Sequence, residues 1–293
     1  MWAASRQLVV RVVVWQQQLL HVRRARRGLQ LQPQHSHLAT RGVNMSRRLS
    51  IIHFNDCYNV EGNAEEPVAG AARFKTAVQS FASEDALVLF SGDIIAPSII
   101  SESLTRGEHM IPVLRQCDVA CAVFGNHEFE FGVDHLISFT KKTGFPWLMS
   151  NLRDRATGDP VAEARGVHVI EKQGHRIGVM GLVEWEWLST LAPNSGVNDE
   201  LYVDFVTKAE ELAERMKKEM KVDFVIALTH MRWPNDCRLA SAVPAIDLIL
   251  GGHDHDYEVR EVDGRMIFNR DPTFVPFPKS MLFSQSLRTR DQM

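Results

Sequence analysis

Cysteine and long apolar runs are scarce in this chain of 293 residues. The four cysteines are Cys57, Cys117, Cys121 and Cys237, and no two of them form a C-x-x-C pair. This argues against a zinc ribbon and against a dense disulfide framework, and it suits a reducing compartment. No apolar run reaches the roughly 18 residues that a membrane span needs. We therefore expect no transmembrane helix and no association with a membrane.

Acidic residues are absent before Asp56, and nine of the 33 basic residues lie in that first segment, all of them arginines. From Asp56 onward, the remaining 24 basic residues face 36 acidic ones, a formal net charge of −12. A body of this charge does not offer the broad basic face that a nucleic-acid duplex requires. We therefore expect no duplex binding.

The first 44 residues have two interpretations. They are rich in arginine and free of acid, as mitochondrial transit peptides are, which predicts a mitochondrial or other organellar location. Alternatively, Met45 is the natural start, because Met45-Ser46-Arg47-Arg48 leads directly into the first predicted strand; the protein is then expected in the cytoplasm. The predicted division is a leader at 1–44, one folded domain at 45–270, and a short tail containing Phe and Pro at 271–293.

From Leu49 onward, short apolar runs alternate with helical patterns, which is typical of a layered α/β fold with mixed β-sheets flanked by helices. Gln173-Gly174 separates two short strand patterns, His168–Glu171 and Arg176–Leu182, and predicts an antiparallel hairpin. The other predicted strands are Ser50–Asn55, Ala86–Phe90, Val119–Phe124, Phe224–Leu228 and Ile246–Leu250. The predicted helices are Val68–Ala82, Glu108–Gln116, Val133–Lys142 and Phe205–Met220.

Five polar clusters each follow an apolar strand pattern: Asp56, Asp93, Asn126-His127-Glu128, His230 and His253-Asp254-His255. In open α/β sheets, ligands bind beyond the carboxyl ends of the strands, so the clusters are expected to converge there on one site. Carboxylate, amide and imidazole ligands without thiolate suit divalent Zn, Mn or Fe better than Ca. Two ions are expected, because a carboxylate such as Asp93 can bridge a pair about 3.5 to 4 Å apart, a recurring arrangement for phosphoester hydrolysis.

Each cluster taken alone has a structural alternative. A single Asp at the end of a strand is more often a helix cap or a turn former than a metal ligand. A lone histidine such as His230 is more often a hydrogen-bonded structural residue. The five clusters in this order favour a metal site over those alternatives, and the two histidines of His253-Asp254-His255 project to the same side of an extended segment.

The same residues resemble the calcineurin-like metallophosphoesterase superfamily, within it the 5'-nucleotidase branch. The matching segments are Ile51-Ile52-His53-Phe54-Asn55-Asp56, Phe90-Ser91-Gly92-Asp93, Phe124-Gly125-Asn126-His127-Glu128-Phe129, Leu228-Thr229-His230 and Gly251-Gly252-His253-Asp254-His255. The resemblance extends over roughly 49–269. It implies the metallophosphoesterase fold, with a dinuclear metal site at the carboxyl ends of the strands.

The resemblance also implies a role for individual residues. It assigns Asp56, Asp93 and His255 to a first metal, and it assigns Asp93, Asn126, His230 and His253 to a second. His127 would lie at the phosphate, stabilise developing charge and donate a proton to the leaving oxygen. Glu130 would orient His127, at a position where the nucleotidases often have Asp.

Two departures from the family pattern bear on function. The residue two after Asp56 is Tyr58, where the family has a metal-binding histidine; Tyr58 could coordinate as a phenolate, leave its place to water, or simply pack. His53 is expected to face away from the site. The tail at 271–293, with Phe274, Phe277 and Phe283, is too short to be the nucleobase-binding domain that family nucleotidases carry, so nucleoside specificity has no support from the residues.

The function predicted from these patterns is a dinuclear metal-dependent phosphoesterase. Its expected substrate is a small phosphomonoester, with nucleoside 5'-monophosphates implied by the resemblance, and a phosphodiester is the near neighbour. The competing prediction is a catalytically weak or inactive metal-binding scaffold that acts through partners. A third interpretation is an incomplete gene product.

Overall fold

Two six-stranded β-sheets lie against each other, with helices on their outer sides. The computed structural model describes residues 7–12, 48–62, 70–80, 85–191, 195, 197, 201–255, 258–269 and 283–285. The predicted α/β class with mixed sheets flanked by helices is confirmed.

The first sheet is almost entirely parallel. Its strand order is β12-β1-β2-β3-β4-β5. Neighbouring strands from β1 to β5 run parallel, and β12 pairs antiparallel with β1. The strands are β1 (Gln7–Val12), β2 (Arg48–Phe54), β3 (Leu87–Phe90), β4 (Val119–Val123), β5 (Trp147–Leu148) and β12 (Phe283–Gln285).

The second sheet has a parallel centre with an antiparallel strand at each edge. Its order is β10-β11-β9-β8-β7-β6. The predicted hairpin is confirmed, and Gln173 and Gly174 adopt the positive φ values, 52° and 76°, that a tight turn of this kind requires. The strands are β6 (Val167–Lys172), β7 (His175–Val183), β8 (Phe224–Met231), β9 (Leu248–His253), β10 (Glu258–Val262) and β11 (Arg265–Asn269).

Five α-helices are described: α1 (Ala71–Gln79), α2 (Ile111–Gln116), α3 (Val133–Thr143), α4 (Phe205–Lys218) and α5 (Trp233–Ala242). The prediction of one helix over Glu108–Gln116 is wrong in part, since a 3-10 turn at Glu108–Met110 precedes α2 and Pro112 stands in the first turn of the helix. Neither helix α5 nor the hairpin of β10 and β11 was predicted from the sequence. Shorter helical turns lie at Ser101–Thr105, Asn126–Phe129, Val161–Glu163 and Glu186–Thr190.

Alternation along the strands of the second sheet divides the core in two. In β8, Phe224, Ile226 and Leu228 belong to the core shared with the first sheet. The intervening Val225 and Ala227 belong to a second core beneath α4 and α5. Because successive side chains of a strand point to opposite faces, this fully apolar strand can supply both layers. The second sheet is therefore covered on both faces and holds its carboxyl ends in a fixed place.

Several sequence predictions lie largely outside the described residues. Of the leader at 1–44 only β1 is described, and of the tail at 271–293 only β12, so Phe274 and Phe277 are outside. The division at 44 and 270 stays a prediction. No helix in the described part of the chain is both long and apolar enough to cross a membrane. All four cysteines are free thiols.

Two glycines bring the ends of β3 and β4 together. Gly92 follows β3 with a φ of 84°, and a Cβ there would lie 2.5 Å from the backbone nitrogen of Gly125. Gly125 itself has an ordinary φ of −98°, so close approach is what requires glycine there: a Cβ would come within 2.1 Å of Asp93 Oδ1. Gly92 is therefore required by the sharp turn, whereas Gly125 is required by the lack of space.

Gly92→Ala should cost more stability than Gly264→Ala. Both glycines have positive φ, 84° and 79°, but a Cβ at Gly264 meets nothing within 4 Å. The left-handed backbone alone costs about 1 to 2 kcal/mol, and the displacement of Gly125 adds about 1 to 3 kcal/mol in Gly92→Ala. Urea unfolding of both variants measures the difference. Equal losses would show that the two strand ends can separate without cost.

Candidate metal centre

The structure brings the five predicted clusters to one end of the two sheets. Asp56 and Asp93 follow β2 and β3, and Asn126 begins the 3-10 turn after β4. His230 lies within β8, one residue before the strand ends, and His253 is the last residue of β9. Both histidines were expected just beyond shorter strands. The strand pairing continues to them because β8 and β9 stay in register through His230 and Gly252.

Four of the side chains surround one point. The Nε2 atom of His230 lies 3.1 Å from Asp93 Oδ2 and 3.2 Å from Asn126 Oδ1. His253 Nδ1 lies 3.0 Å from the same Asn126 oxygen. Ligand atoms of Asp93, His230 and His253 all lie within 4.8 Å of one another. These four residues are the set that the resemblance implies for the second metal.

The remaining predicted ligands surround the hydroxyl of Tyr58. Tyr58 Oη lies 2.9 Å from Asp56 Oδ1, 3.3 Å from Asp93 Oδ2 and 3.1 Å from His255 Nε2. His255 Nε2 is itself 3.5 Å from Asp56 Oδ1. Tyr58 therefore touches all three residues that the resemblance implies for the first metal. Burial, followed by the charges of Asp56 and Asp93, raises the pKa of Tyr58 well above its usual value, so the phenol donates its one hydrogen to a carboxylate.

The hydrogen bonding of His230 tests whether this centre fits a cation. His230 Nδ1 lies 2.7 Å from the carbonyl oxygen of Ser91, which can only accept, so Nδ1 carries a hydrogen. In neutral His230 the lone pair of Nε2 then faces the oxygens of Asp93 and Asn126 with no hydrogen between them. Burial by itself lowers the pKa of His230, but Asp93, Asp56 and the Ser91 carbonyl raise it to about 10. A positive charge is required at this point, and the donors present suit a divalent metal as well as a proton.

The surroundings of Asp93, the acidic partner of His230, also favour a positive charge at this point. Burial alone raises the pKa of Asp93, but the charges of His230 and His127 and the hydrogen bonds from both residues outweigh burial and lower it. The backbone N–H of His127 donates to Asp93 Oδ1 at 2.9 Å, and Oδ2 faces both groups of ligands. Asp93 therefore contacts both groups of predicted ligands.

Three of the predicted ligands hold a left-handed backbone conformation. Their φ values are 51° at Asp56, 63° at Asp93 and 86° at His253. Such a conformation costs a non-glycine residue about 1 to 3 kcal/mol and persists only where the surroundings enforce it. The chain thus turns sharply at each of these residues and directs the side chains into the centre.

Glu128 enforces part of this geometry. Its side chain is fully buried, and its Oε2 accepts the backbone N–H groups of Asp93 at 2.8 Å and Gly125 at 2.6 Å. Its Oε1 accepts those of Ile94 at 2.7 Å and Ile95 at 3.4 Å. Burial and the nearby Asp93 raise the pKa of Glu128 to about 7, against the backbone donors, which lower it. One carboxylate therefore joins the turns after β3 and β4.

The predicted catalytic pair is in contact. His127 Nδ1 lies 2.9 Å from Glu130 Oε1, and the His127 side chain is 26% exposed. Its ring also packs edge-on against Tyr58, with the centroids 5.7 Å apart. Glu130 thus orients one nitrogen of His127 and leaves Nε2 on the other side of the ring. The Glu130 side chain is thus long enough to reach the imidazole, as the resemblance implied.

His53 lies outside the centre, as expected from its strand position. It is fully buried, and its Nε2 lies 2.8 Å from Ser91 Oγ, which donates in turn to the carbonyl of Leu250. Burial lowers the pKa of His53 to about 3, so the ring is neutral, and Nε2 donates to Ser91. His53 cannot replace the missing imidazole of the first group; it supports the segment that holds His230.

Two residues near the centre were missed by the sequence reasoning. Glu184, fully buried, follows β7 and lies with its Oε1 3.8 Å from His253 Nε2. Trp187 donates from its indole nitrogen to the carbonyl of His230 at 3.0 Å. Glu184 carries much the same signal as Asp93, a carboxylate within three residues of the end of an apolar strand, and that signal could have found it. Nothing in the sequence pattern distinguishes Trp187 from an ordinary core residue.

The sequence that forms this fold and this group of side chains matches a known protein family. The calcineurin-like phosphoesterase family matches residues 49–257, which is more than half of the chain. The chain belongs to this family, and the resemblance seen in the sequence is confirmed.

Among individual relatives, the chain is 27% identical over 228 residues to a 5'-nucleotidase of Vibrio cholerae and 27% identical over 229 residues to a 5'-nucleotidase of Rattus norvegicus. These matches cover 71% and 72% of this chain but 40% and 38% of the two relatives. The chain therefore spans about two fifths of the length of the curated relatives it matches.

Solved structures show the same fold at low sequence identity. The NAD nucleotidase of Haemophilus influenzae matches with a TM-score of 0.65 and 20% identity, covering 76% of this chain and 50% of the other. The calcineurin-like phosphoesterase YfkN of Bacillus subtilis matches with a TM-score of 0.61 and 20% identity, covering 75% of this chain and 80% of the other. At this identity, the likeness establishes the fold alone.

Glu128→Gln should destabilise the protein by about 2 to 4 kcal/mol, because the amide keeps the volume but turns an NH2 group toward backbone donors that need an acceptor. Glu130→Gln is the matched control two residues away: the Glu130 side chain is exposed and, within the part of the chain that the structure describes, hydrogen-bonds to His127, so the loss of stability should stay within about 0.5 kcal/mol. Chemical unfolding of metal-free protein measures both. A loss at Glu128 no larger than at Glu130 would contradict the role given to this carboxylate.

Proposed function

We propose that the protein is a metal-dependent phosphomonoesterase with two divalent ions. The observation that carries this proposal is the convergence of Asp93, Asn126, His230 and His253 on a point that requires positive charge. The residues predicted for the first metal, Asp56 and His255, adjoin this point through Asp93 and the hydroxyl of Tyr58. Carboxylate, amide and imidazole donors without thiolate favour Zn, Mn or Fe.

Each group of donors has a distinct part in the proposal. The first ion would be held by Asp56, Asp93 and His255, and the second by Asp93, Asn126, His230 and His253. Bound divalent ions supply charge neutralisation for a phosphoryl group and lower the pKa of a water nucleophile. The chain's own residues fix the donors: Glu128 holds the turn that carries Asp93, and Ser91 holds the tautomer of His230.

His127 is the proposed general acid. Its Nδ1 is engaged by Glu130 at 2.9 Å, and its backbone N–H donates to Asp93. The imidazole is therefore held beside the bridging carboxylate with Nε2 directed elsewhere. In this arrangement Nε2 protonates the leaving oxygen, and Glu130 stabilises the charged ring and fixes which nitrogen carries the proton.

The proposed substrate class is a small phosphomonoester, with nucleoside 5'-monophosphates first among those to screen. The support is the naming of relatives as 5'-nucleotidases, which applies to proteins more than twice as long as the matched region. The site geometry supports phosphoester chemistry and carries no information on a nucleobase. The screen therefore includes a nucleoside monophosphate, a sugar phosphate and a cyclic nucleotide diester.

His127→Ala should lower kcat for a phosphomonoester by about 10²- to 10⁴-fold, the usual contribution of a general acid, while the metal content stays as in the wild type. Elemental analysis and steady-state kinetics on the same preparations test this, and chelation of the wild type sets the activity floor. Turnover unchanged in the variant would remove His127 from the mechanism. Fewer than two ions in the reconstituted wild type would contradict the dinuclear proposal itself.

Tyr58 distinguishes an active enzyme from the competing scaffold. Because Tyr58 Oη already contacts all three residues of the first group, we expect Tyr58→His to change kcat/KM by less than about fivefold, which is about 1 kcal/mol. Tyr58→Phe, which keeps the ring and removes only the hydroxyl, is the control for packing. An increase in kcat/KM of a hundredfold or more in Tyr58→His would indicate that the site is impaired in the natural sequence. That result would favour the competing prediction of a catalytically weak scaffold.

A further inference from the structure

A buried carboxylate that belongs to neither group of predicted metal ligands lies beside the metal centre. Glu184 follows the last residue of β7, and its side chain is fully buried. An ionised carboxylate removed from water is costly unless it is paired and hydrogen-bonded. The partners of Glu184 therefore show what the residue is for.

Three of the partners belong to the start of α5. Glu184 Oε2 accepts the backbone N–H of Arg232 at 2.9 Å and the side-chain amide of Asn235 at 2.6 Å, and Oε1 accepts Arg232 Nε at 2.8 Å. Arg232 follows β8 immediately and precedes the first residue of the helix. These contacts account for the stability of the buried charge. They hold Glu184 in one position at the end of the sheet.

The fourth neighbour is a predicted metal ligand. Glu184 Oε1 lies 3.8 Å from His253 Nε2, beyond hydrogen-bond length but directly on that side of the ring. The opposite nitrogen, Nδ1, faces Asn126 Oδ1 at 3.0 Å, within the group of donors around Asp93 and His230. The imidazole of His253 thus lies between the metal centre and a fixed carboxylate.

We infer that Glu184 is a positioning residue for the second metal, which it serves by holding His253 with its proton on Nε2 and the lone pair of Nδ1 directed into the centre. A ligating histidine whose other nitrogen faces a carboxylate is more basic and better oriented. The φ of 86° at His253 adds to the need, because this backbone conformation has to be held in place by its surroundings. The inference rests on the proposed function and extends it to a residue outside the ligand set.

Glu186 provides a matched control. It also contacts Arg232, with its Oε1 3.1 Å from the guanidinium, but its side chain is 48% exposed, and among the described residues it forms no ion pair with His253. Glu186→Gln therefore removes an acidic partner of Arg232 and leaves the carboxylate beside His253 in place. If Glu184 serves only to hold Arg232 and α5, the two variants should behave alike.

The experiment is a zinc titration of the full chain, stripped of metal, against a chromophoric chelator. The wild type should bind two ions, and His253→Ala identifies the ion that belongs to the second group. Glu184→Gln should lower the affinity for that ion by about 10- to 100-fold and leave the affinity for the other ion within about threefold of the wild type. Glu186→Gln should leave both affinities within about threefold of the wild type. Glu184→Asp, which keeps the charge, should recover part of the loss.

Three outcomes separate the possibilities. A folded Glu184→Gln protein with both affinities within threefold of the wild type overturns the inference and leaves the proposed function standing, as does an equal loss in Glu186→Gln. A wild type that binds no zinc and hydrolyses no phosphomonoester removes the proposed function and the inference together. If circular dichroism shows that Glu184→Gln does not fold, the decision passes to the zinc-loaded wild type, in which long-range ¹H–¹⁵N NMR should show His253 protonated on Nε2; protonation on Nδ1 overturns the inference.

Discussion

The arrangement of the centre depends on one buried carboxylate that accepts four backbone N–H groups. Glu128 joins the turn after β3 to the turn after β4, and these turns carry Asp93 and Asn126. Without such an acceptor, the N–H groups of two sharp turns would be buried without partners, at a cost of about 1 to 3 kcal/mol each. The first sheet therefore presents two of its ligands as a unit. His127 follows Asn126 in the same 3-10 turn, so the turn also fixes the position of His127.

The second sheet contributes its ligands by a different means. His230 and His253 are still within the ladder of β8 and β9, so strand pairing places them. The two sheets meet at Ser91, whose carbonyl accepts from His230 and whose hydroxyl donates to the carbonyl of Leu250. The centre is thus a junction between sheets, in which Ser91 fixes the tautomer of one ligand. The same end of the second sheet holds Glu184, so three successive strands, β7, β8 and β9, each bring a polar side chain to it.

Much of the fold could be predicted from local pattern. The strands β3 and β4 are continuous apolar runs, β2 and β8 are apolar over much of their length, and the hairpin of β6 and β7 has turn residues that tolerate positive φ, so each was placed within a few residues. The ends were less well predicted: β8 continues to Met231, because pairing with β7 and β9 overrides the polarity of Thr229 and His230. Helix α5 was not predicted because its sequence, Trp233–Ala242, has little helical periodicity. The start of the helix is instead held by hydrogen bonds to Glu184 and Asp254.

Local patterns were enough to indicate the chemistry of the centre: the types of predicted ligand, their order along the chain, and their place at the ends of strands, since apolar runs followed by Asp, Asn or His are recognisable without coordinates. The packing of the two sheets sets which of these side chains meet and in what state. The left-handed backbone at Asp56, Asp93 and His253 is one example, because Asp and His tolerate this conformation better than most residues but adopt it only where the surroundings hold it. The place of Tyr58 among Asp56, Asp93 and His255 is another, since its partners lie up to 197 residues away along the chain. Such contacts depend on how two sheets pack, which is a property of the whole domain and cannot be recognised in any short segment of the sequence.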